Sequence, residues 1–564
     1  MTGSVSAQTQ LLVHLGLLLA LCGVLYFPYL GSIPFFDKGE PREALAVQDI
    51  VQRGEWLVPL KRATDIPSKP PLFHWSAALV TQLTGSFTEA TIRFPSALYA
   101  TLGVLLIYWL GRKIFDARIA LLGSAILATM MIYQDQALSA RVDMTLCFFV
   151  TLTLVLFYSL YRGHLKNPLW FYAFYIVAGI GTLAKGPLGL LLPSLVAVSF
   201  ALIERRWDMI RKFAFHPGVL LTFVLATGWY VIAVTRGGEG FFNRQILQEN
   251  LSRFLGGSGH SHPVYYYIPY LFLQTLPWSL FLPVLLRDLF KKGSHESGDV
   301  LFLKLWCLVM FLFFSISAGK RPVYLLPLYP ALSLLLAAWF YTATSPGKGR
   351  LAIYRGISAV AVITGFLLLV INLGALWSHD PGWFFTPIEG LLKPKDRANV
   401  IAVRNQLENF GWTFTVLSLF AAVLWLSLAR SLWQGQMLAF AHQLVIIALI
   451  QGTVGWSLVM PVIAERKSYR AFMSEVNQRV EPEDKLYIYG RFNSDPVVFY
   501  RGRAIERLNE FIGAVASKAG KGDTYIIMPA RRAAAGNLPP PLIKSEGTGP
   551  EGDAALVLVQ AGLP

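Results

Sequence analysis

The sequence predicts an α-helical polytopic membrane protein that crosses the bilayer about thirteen times and ends in a small soluble α/β unit. Three observations carry this. Of 564 residues, 54% are hydrophobic and only 15% charged, where a soluble globular chain is nearer a quarter charged. Apolar runs long enough to cross roughly 30 Å of hydrocarbon, at about 1.5 Å per helical residue, recur from residue 11 to residue 460. Beyond residue 460 the runs shorten and take on strand-like alternation.

The expected spans are 11–30, 94–111, 119–134, 143–160, 168–182, 187–203, 217–235, 264–286, 300–317, 323–342, 353–377, 411–429 and 437–460. No Lys or Arg precedes the first run and no clear cleavage site follows it, so it reads as a retained helix rather than a signal peptide. In the tail, Tyr469, Phe472, Met473 and Val476 fall at helical spacing. Lys485 to Tyr489, Thr524 to Met528 and Ala555 to Val559 read as strands. The division expected is therefore 1–460 for the membrane domain and 461–564 for an α/β domain.

The formal charge of +16 does not point to nucleic acid, because the basic residues lie in short clusters between apolar runs. With the N-terminus in the cytoplasm, the basic connections become cytoplasmic: Arg112, Lys113 and Arg118; Arg205, Arg206, Arg211 and Lys212; Arg287, Lys291 and Lys292; Lys348, Arg350 and Arg355. The opposite face then receives the long segments 31–93, 236–263 and 378–410 and the C-terminal unit. Cys22, Cys147 and Cys307 each sit inside an apolar run without metal or redox spacing.

The first long segment carries the strongest chemical signal. Asp37-Lys38-Gly39-Glu40-Pro41-Arg42-Glu43 opens an amphipathic stretch that ends at Gly54, with Pro41 suited to a first turn and Gly54 to a stop. Leu45, Ile50, Val51 and Trp56 supply an apolar face, so a helix lying on the membrane surface is expected. Capping of that helix is the plain alternative role for Asp37 or Glu40. Further on, the prolines of Ile66-Pro67-Ser68-Lys69-Pro70-Pro71 stiffen the chain and fix where Lys69 points. The ammonium suits a lipid phosphate or, more plainly, an interface anchor.

These elements, followed by Gly54-Glu55-Trp56-Leu57-Val58-Pro59 and an aromatic pair after Lys69-Pro70, resemble the bacterial aminoarabinose lipid A transferases. That family lies within the GT-C membrane glycosyltransferases, which include the protein O-mannosyltransferases. Arg141-Val142-Asp143, Ala184-Lys185-Gly186, Arg253-Phe254 with His260 and Pro263, Leu276-Pro277-Trp278 and Gly319-Lys320-Arg321-Pro322-Val323-Tyr324 extend the likeness in order along nearly the whole chain. The chain departs from it at two positions: Gly39 stands where the family has an Asp before the Glu, and Ser68 where it has a Glu before Lys-Pro.

The resemblance implies a GT-C fold with periplasmic interfacial helices in the bacterial inner membrane. It also implies a periplasmic active site in loops 31–93 and 236–263, and inverting transfer of a sugar from a polyprenyl-phosphate donor to lipid A or a similar envelope acceptor. Glu40, Asp37 and Asp143 are then the expected catalytic carboxylates. Lys69, Arg253, Lys320, Arg321, Tyr324 and His260 are expected to hold the donor phosphate, with Arg42, Glu43, Arg141 and Lys185 in support; independently of the resemblance, Arg141 lies close enough in sequence to be a partner for Asp143. A leaving phosphate needs fixed cations; a hydroxyl acceptor needs a carboxylate base, and a phosphate acceptor only orientation. No cofactor is demanded, and a divalent metal is left open, since His260-Ser261-His262 lacks a third ligand. Two other readings share the spans and cations: an enzyme acting on protein Ser/Thr hydroxyls, and a transporter or flippase for a lipid-linked sugar. The flippase predicts internal repeats and midplane polar groups, where this chain places its charge in loops. A non-catalytic scaffold explains the ordered charged motifs least.

Overall fold

The computed structural model describes residues 6–61, 65–245, 262–289, 297–342, 348–380, 382–392, 394–410, 412–508, 523–535, 540–545, 549 and 555–560. The first half builds helices α1 (Ala7–Tyr26), α2 (Glu40–Arg53), α3 (Leu72–Thr84), α4 (Glu89–Ile114), α5 (Ala117–Thr129), α6 (Met131–Ala137), α7 (Val142–Tyr161), α8 (Leu169–Lys185) and α9 (Leu188–Ile203). Among the described residues nine helices have the length and apolarity to cross a membrane. Two bent pairs, α5 with α6 and Val264–Gln274 with Trp278–Leu289, break by 66° and 116°, and α8 and α9 are shorter apolar helices. Each of the thirteen predicted segments falls on one of these elements.

Local signals explain where the helices begin and end. Thr88 and Thr91 close a reciprocal capping box at the start of α4, and Asp116 accepts the N–H groups of Arg118 and Ile119 at the start of α5. Gly54 takes the left-handed conformation (φ 68°) and returns its N–H to Ile50 O, ending α2 where the sequence places the stop. Helix α7 and Pro322–Thr342 are the most enclosed spans, each 83% buried. Helix α1 and Tyr354–Ser378 leave Leu12, Val13, Leu17, Ile363 and Phe366 facing outward.

The segment 31–93 differs from expectation. It contains a second helix, α3, and α2 does not lie bare on a surface. Ala44, Leu45, Val47 and Ile50 of α2 share one apolar core with Phe73 and Ala77 of α3 and with Met473, Val476, Val497 and Phe499 of the C-terminal unit. An amphipathic helix with this stripe buries it against whatever apolar surface is in reach, and here the folded tail is that surface.

The tail forms a five-stranded sheet of β1 (Lys485–Tyr489), β2 (Glu506–Leu508), β3 (Thr524–Pro529), β4 (Ile543–Lys544) and β5 (Leu556–Gln560). The order is β2-β1-β3-β5-β4, with β1 parallel to β2 and β3, and β5 antiparallel to β3 and β4. Leu486, Ile488, Tyr525, Ile527, Leu556 and Leu558 face the core shared with α2, while Tyr487, Ile526, Met528, Val557 and Val559 form a second cluster, the alternation a pleated strand imposes. Tyr500 fastens the unit to the membrane domain: its hydroxyl donates to Glu89 Oε1 (2.9 Å) and accepts from Phe35 N (3.0 Å).

Candidate active site

At one end of the bundle, the turn into α2, the corner before α7, the last residue of α8 and the segment before Pro322–Thr342 converge. They enclose a cavity of about 30 Å³ lined by Arg42, Glu43, Lys69, Arg141, Val142, Asp143, Lys185, Arg321, Val323 and Tyr324. A larger neighbour of about 160 Å³ is lined by Ile33, Phe36, Asp37, Glu40, Arg93, Asp135, Gln136, Leu138, Ser139, Arg141 and Trp456. Arg141 belongs to both walls.

The small cavity is a field of positive charge. Five cations, Arg42, Lys69, Arg141, Lys185 and Arg321, line it with two carboxylates, Glu43 and Asp143, so its lining carries more positive than negative groups. Lys185 Nζ ion-pairs with Asp143 Oδ1 and sits 4.4 Å from the centre of the Tyr324 ring. Asp143 thus pairs with Lys185, and not with Arg141 as its spacing suggested. Arg141 instead reaches across to Asp37, because its guanidinium lies over the start of α2. Glu43 accepts from Arg42 Nη2 at 3.0 Å and lies 2.9 Å from Nε2 of the wholly buried His74. Burial pushes the Glu43 carboxyl up, but Arg42 and His74 outweigh it and hold the group well below its ordinary range. Lys69 is held where its loop is pinned: Trp229 Nε1 donates to Leu57 O at 2.8 Å, and Gln245 Nε2 donates to Pro67 O and to Lys69 O.

Glu40 lines the larger cavity with both of its oxygens engaged. Arg93, buried inside α4, grips it with Nε on Oε1 (2.7 Å) and Nη2 on Oε2 (2.9 Å), and Ala140 N adds a third bond at 2.8 Å. Asp37 takes up the capping role: Oδ1 accepts from Gly39 N (2.7 Å) and Glu40 N (2.8 Å), while Oδ2 pairs with Arg141. Burial raises the Asp37 pKa, and the Arg141 charge and these N–H donors more than reverse it, for a net lowering. The departure at Gly39 also has a physical account. A Cβ there would sit 2.7 Å from the Arg141 guanidinium, so the space a side chain would fill is occupied.

Lys320 turns back on its own segment. Its Nζ donates to Ser317 O three residues back and the residue does not line either cavity, whereas Arg321 does. Arg253 and His260 lie outside the described residues. Among the described residues no three His, Cys, Asp or Glu side chains gather as metal ligands. Three site residues escaped sequence reasoning: Arg93, His74 and Asp135. Arg93 is a lone cation in an apolar span, a signal that by itself marks an ion-pair partner.

Fold and charged cavity together define the class: a multi-pass membrane protein with the architecture of the GT-C glycosyltransferases. Over 99% of this chain and 100% of the other, the structure superposes with a TM-score of 0.74, at 19% identity, on the crystal structure of ArnT from Cupriavidus metallidurans bound to undecaprenyl phosphate. Residues 68–231 match the family model described as dolichyl-phosphate-mannose-protein mannosyltransferase. The chain is 30% identical over 361 residues to the undecaprenyl phosphate-alpha-4-amino-4-deoxy-L-arabinose arabinosyl transferase 1 of Pseudomonas fluorescens, covering 63% of this chain and 65% of that protein. It is 32% identical over 324 residues to the corresponding transferase of Pseudomonas aeruginosa, covering 57% and 58%. These alignments span under two thirds of the relatives' length. The resemblance drawn from the motifs stands, as does the helical GT-C architecture with a small C-terminal sheet.

Proposed function

We propose that this chain is an inner-membrane glycosyltransferase that moves a sugar, with inversion, from a polyprenyl-phosphate donor to an envelope lipid acceptor such as lipid A at the periplasmic face. The observation that carries the reading is the cavity in which five cations meet two carboxylates beside the ring of Tyr324. As the sugar–phosphate bond breaks, negative charge grows on the departing phosphate. Fixed guanidinium and ammonium groups aimed at its oxygens stabilise that charge without reorganising. Arg321 and Arg42 offer forked donors, and Lys69 and Lys185 point charges. The names of the relatives, which specify undecaprenyl phosphate and an aminoarabinose, agree with this chemistry.

Apart from Asp135 in the neighbouring cavity, the carboxylates are committed to cations, which favours an acceptor that is already ionised. Glu43 is held by Arg42 and His74 as a weak base, Asp143 is paired with Lys185, and Glu40 is committed to Arg93. A hydroxyl acceptor needs a strong base at this point, while a phosphate needs only to be held in line. A lipid A phosphate therefore fits better than a protein Ser/Thr hydroxyl. The test is mass spectrometry of lipid A, envelope polysaccharides and periplasmic glycoproteins from wild type, a deletion strain and an Asp143→Asn strain. Loss of one sugar substituent from lipid A in both mutants is expected. If no fraction changes while the protein is expressed normally, the reading is wrong.

A further inference from the structure

The larger cavity has the opposite electrical character to its neighbour. Asp37 is neutralised by Arg141 and Glu40 by Arg93, which leaves Asp135 as a third carboxylate with no cation paired to it among the described residues. Its Oδ2 accepts from Gln136 Nε2 at 2.7 Å. At the other end of that amide, Gln136 is 5% exposed and its Oε1 is buried with no hydrogen-bond partner among the described residues. A buried acceptor left unpaired is costly, so a donor that reached both Gln136 Oε1 and Asp135 would be held by both. Both groups are acceptors, so they call for a donor. A phosphate is repelled by the excess negative charge, whereas a hydroxyl or, better, an ammonium satisfies both Asp135 and Gln136.

The volume and the position agree. About 160 Å³ is the space of one ring, since an apolar cavity of roughly 150 Å³ accepts benzene. Arg141 lines both cavities, so the acidic one adjoins the cationic one.

We propose that the Asp135 and Gln136 cavity holds the ring of the transferred sugar and reads a hydrogen-bond-donating ring substituent, preferring a protonated amine over a hydroxyl. This rests on the polyprenyl-phosphate reading above. The test is binding of three probes to the full chain in nanodiscs: bare undecaprenyl phosphate, undecaprenyl phosphate 4-amino-4-deoxyarabinose, and the arabinose lipid with a hydroxyl in place of the amine. Wild type is expected to hold the amino lipid about tenfold tighter than the hydroxyl lipid, the weight of one charge-assisted hydrogen bond. Asp135→Asn should bring that ratio close to one while leaving bare undecaprenyl phosphate within about threefold, and Gln136→Leu should lower affinity for both sugar lipids by roughly threefold or more. An unchanged ratio in Asp135→Asn, or equal weakening of all three probes, overturns the proposal. If wild type binds the bare lipid but gains nothing from either sugar, this inference alone falls. If it binds none of the three, the polyprenyl reading falls and takes the inference with it.

Discussion

Replacing Glu40 separates two roles that a buried carboxylate beside a reaction centre can have. The geometry makes Glu40 a clamp. Both of its oxygens are held by Arg93, Ala140 N adds a bond, and Arg93 spends its remaining Nη1 on Leu30 O and Ile33 O. Glu40 and Arg93 are each 2% exposed, so breaking the pair from one side strands a charge away from water. Arg93→Met or Glu40→Leu should each cost about 3–5 kcal/mol. The double replacement should cost less than the two single changes together, by roughly 3 kcal/mol, because no charge is then left alone. Glu40→Gln keeps the shape, and the folded fraction should retain turnover within about tenfold. A general base behaves the other way: its removal lowers turnover by roughly 10²–10⁴ and leaves stability alone. Thermal melts by fluorescence-detected size exclusion, combined with transfer assays on the folded peak, decide between them. A Glu40→Gln protein that melts like wild type and has lost a hundredfold or more of its activity refutes the clamp.

Four other outcomes are expected. Arg321→Ala should weaken undecaprenyl phosphate binding by tenfold or more, the loss of a charge-assisted contact of about 1.5–3 kcal/mol, while Lys320→Met should change it less than about threefold. Calorimetric titration of the two variants in nanodiscs checks the contrast. Gly39→Ala should displace the Arg141 guanidinium, which lies 2.7 Å from the added Cβ, and lower transfer more than it lowers the melting temperature. Glu43 is depressed below its ordinary 4.5 in the fold, so the stability it adds is complete above that pH and fades as the pH falls further; heat resistance measured from pH 6 downward should drop more steeply in wild type than in Glu43→Gln. Tyr500→Phe removes the bonds to Glu89 and Phe35 N, and limited proteolysis should release the C-terminal unit sooner, for a loss of about 1–2 kcal/mol.

Sequence alone carried the fold because lipid leaves a helix no other choice: each span must be apolar, long and internally hydrogen-bonded, and those features are local. The start and stop of α2 were legible for the same reason, Pro41 and Gly54 being local signals, and the strands at 485, 524 and 555 fell within a residue or two of their places. The site was legible only as a list of charges. Its pairings were not, because they are set by contacts across the chain. Glu40 and Arg93 are 53 residues apart, and Asp37 and Arg141 are 104 apart. Asp143 was therefore assigned Arg141, its neighbour in sequence, when its partner is Lys185 at the far end of α8.

Those pairings give the site its electrical design. Had Arg141 paired with Asp143, Lys185 would add to the cationic cavity and Asp37 would be left to add its charge to the acidic one. Arg141 instead lines both cavities and neutralises Asp37, so cations outnumber carboxylates around one cavity, while around the other Asp135 has no ion-paired cation among the described residues. On the proposed reading, that difference would sort a phosphate from a sugar bearing a donor group before any specific contact formed. Gly39 is part of the same arrangement. Any side chain there would press on the Arg141 guanidinium, so glycine at 39 with the acid moved to Asp37 keeps both the wall and its charge. Restoring an acid by Gly39→Asp without removing Asp37 should therefore lower transfer, and Gly39→Asp with Asp37→Asn should recover part of it, a pair of assays in which equal activity of the two variants contradicts the account.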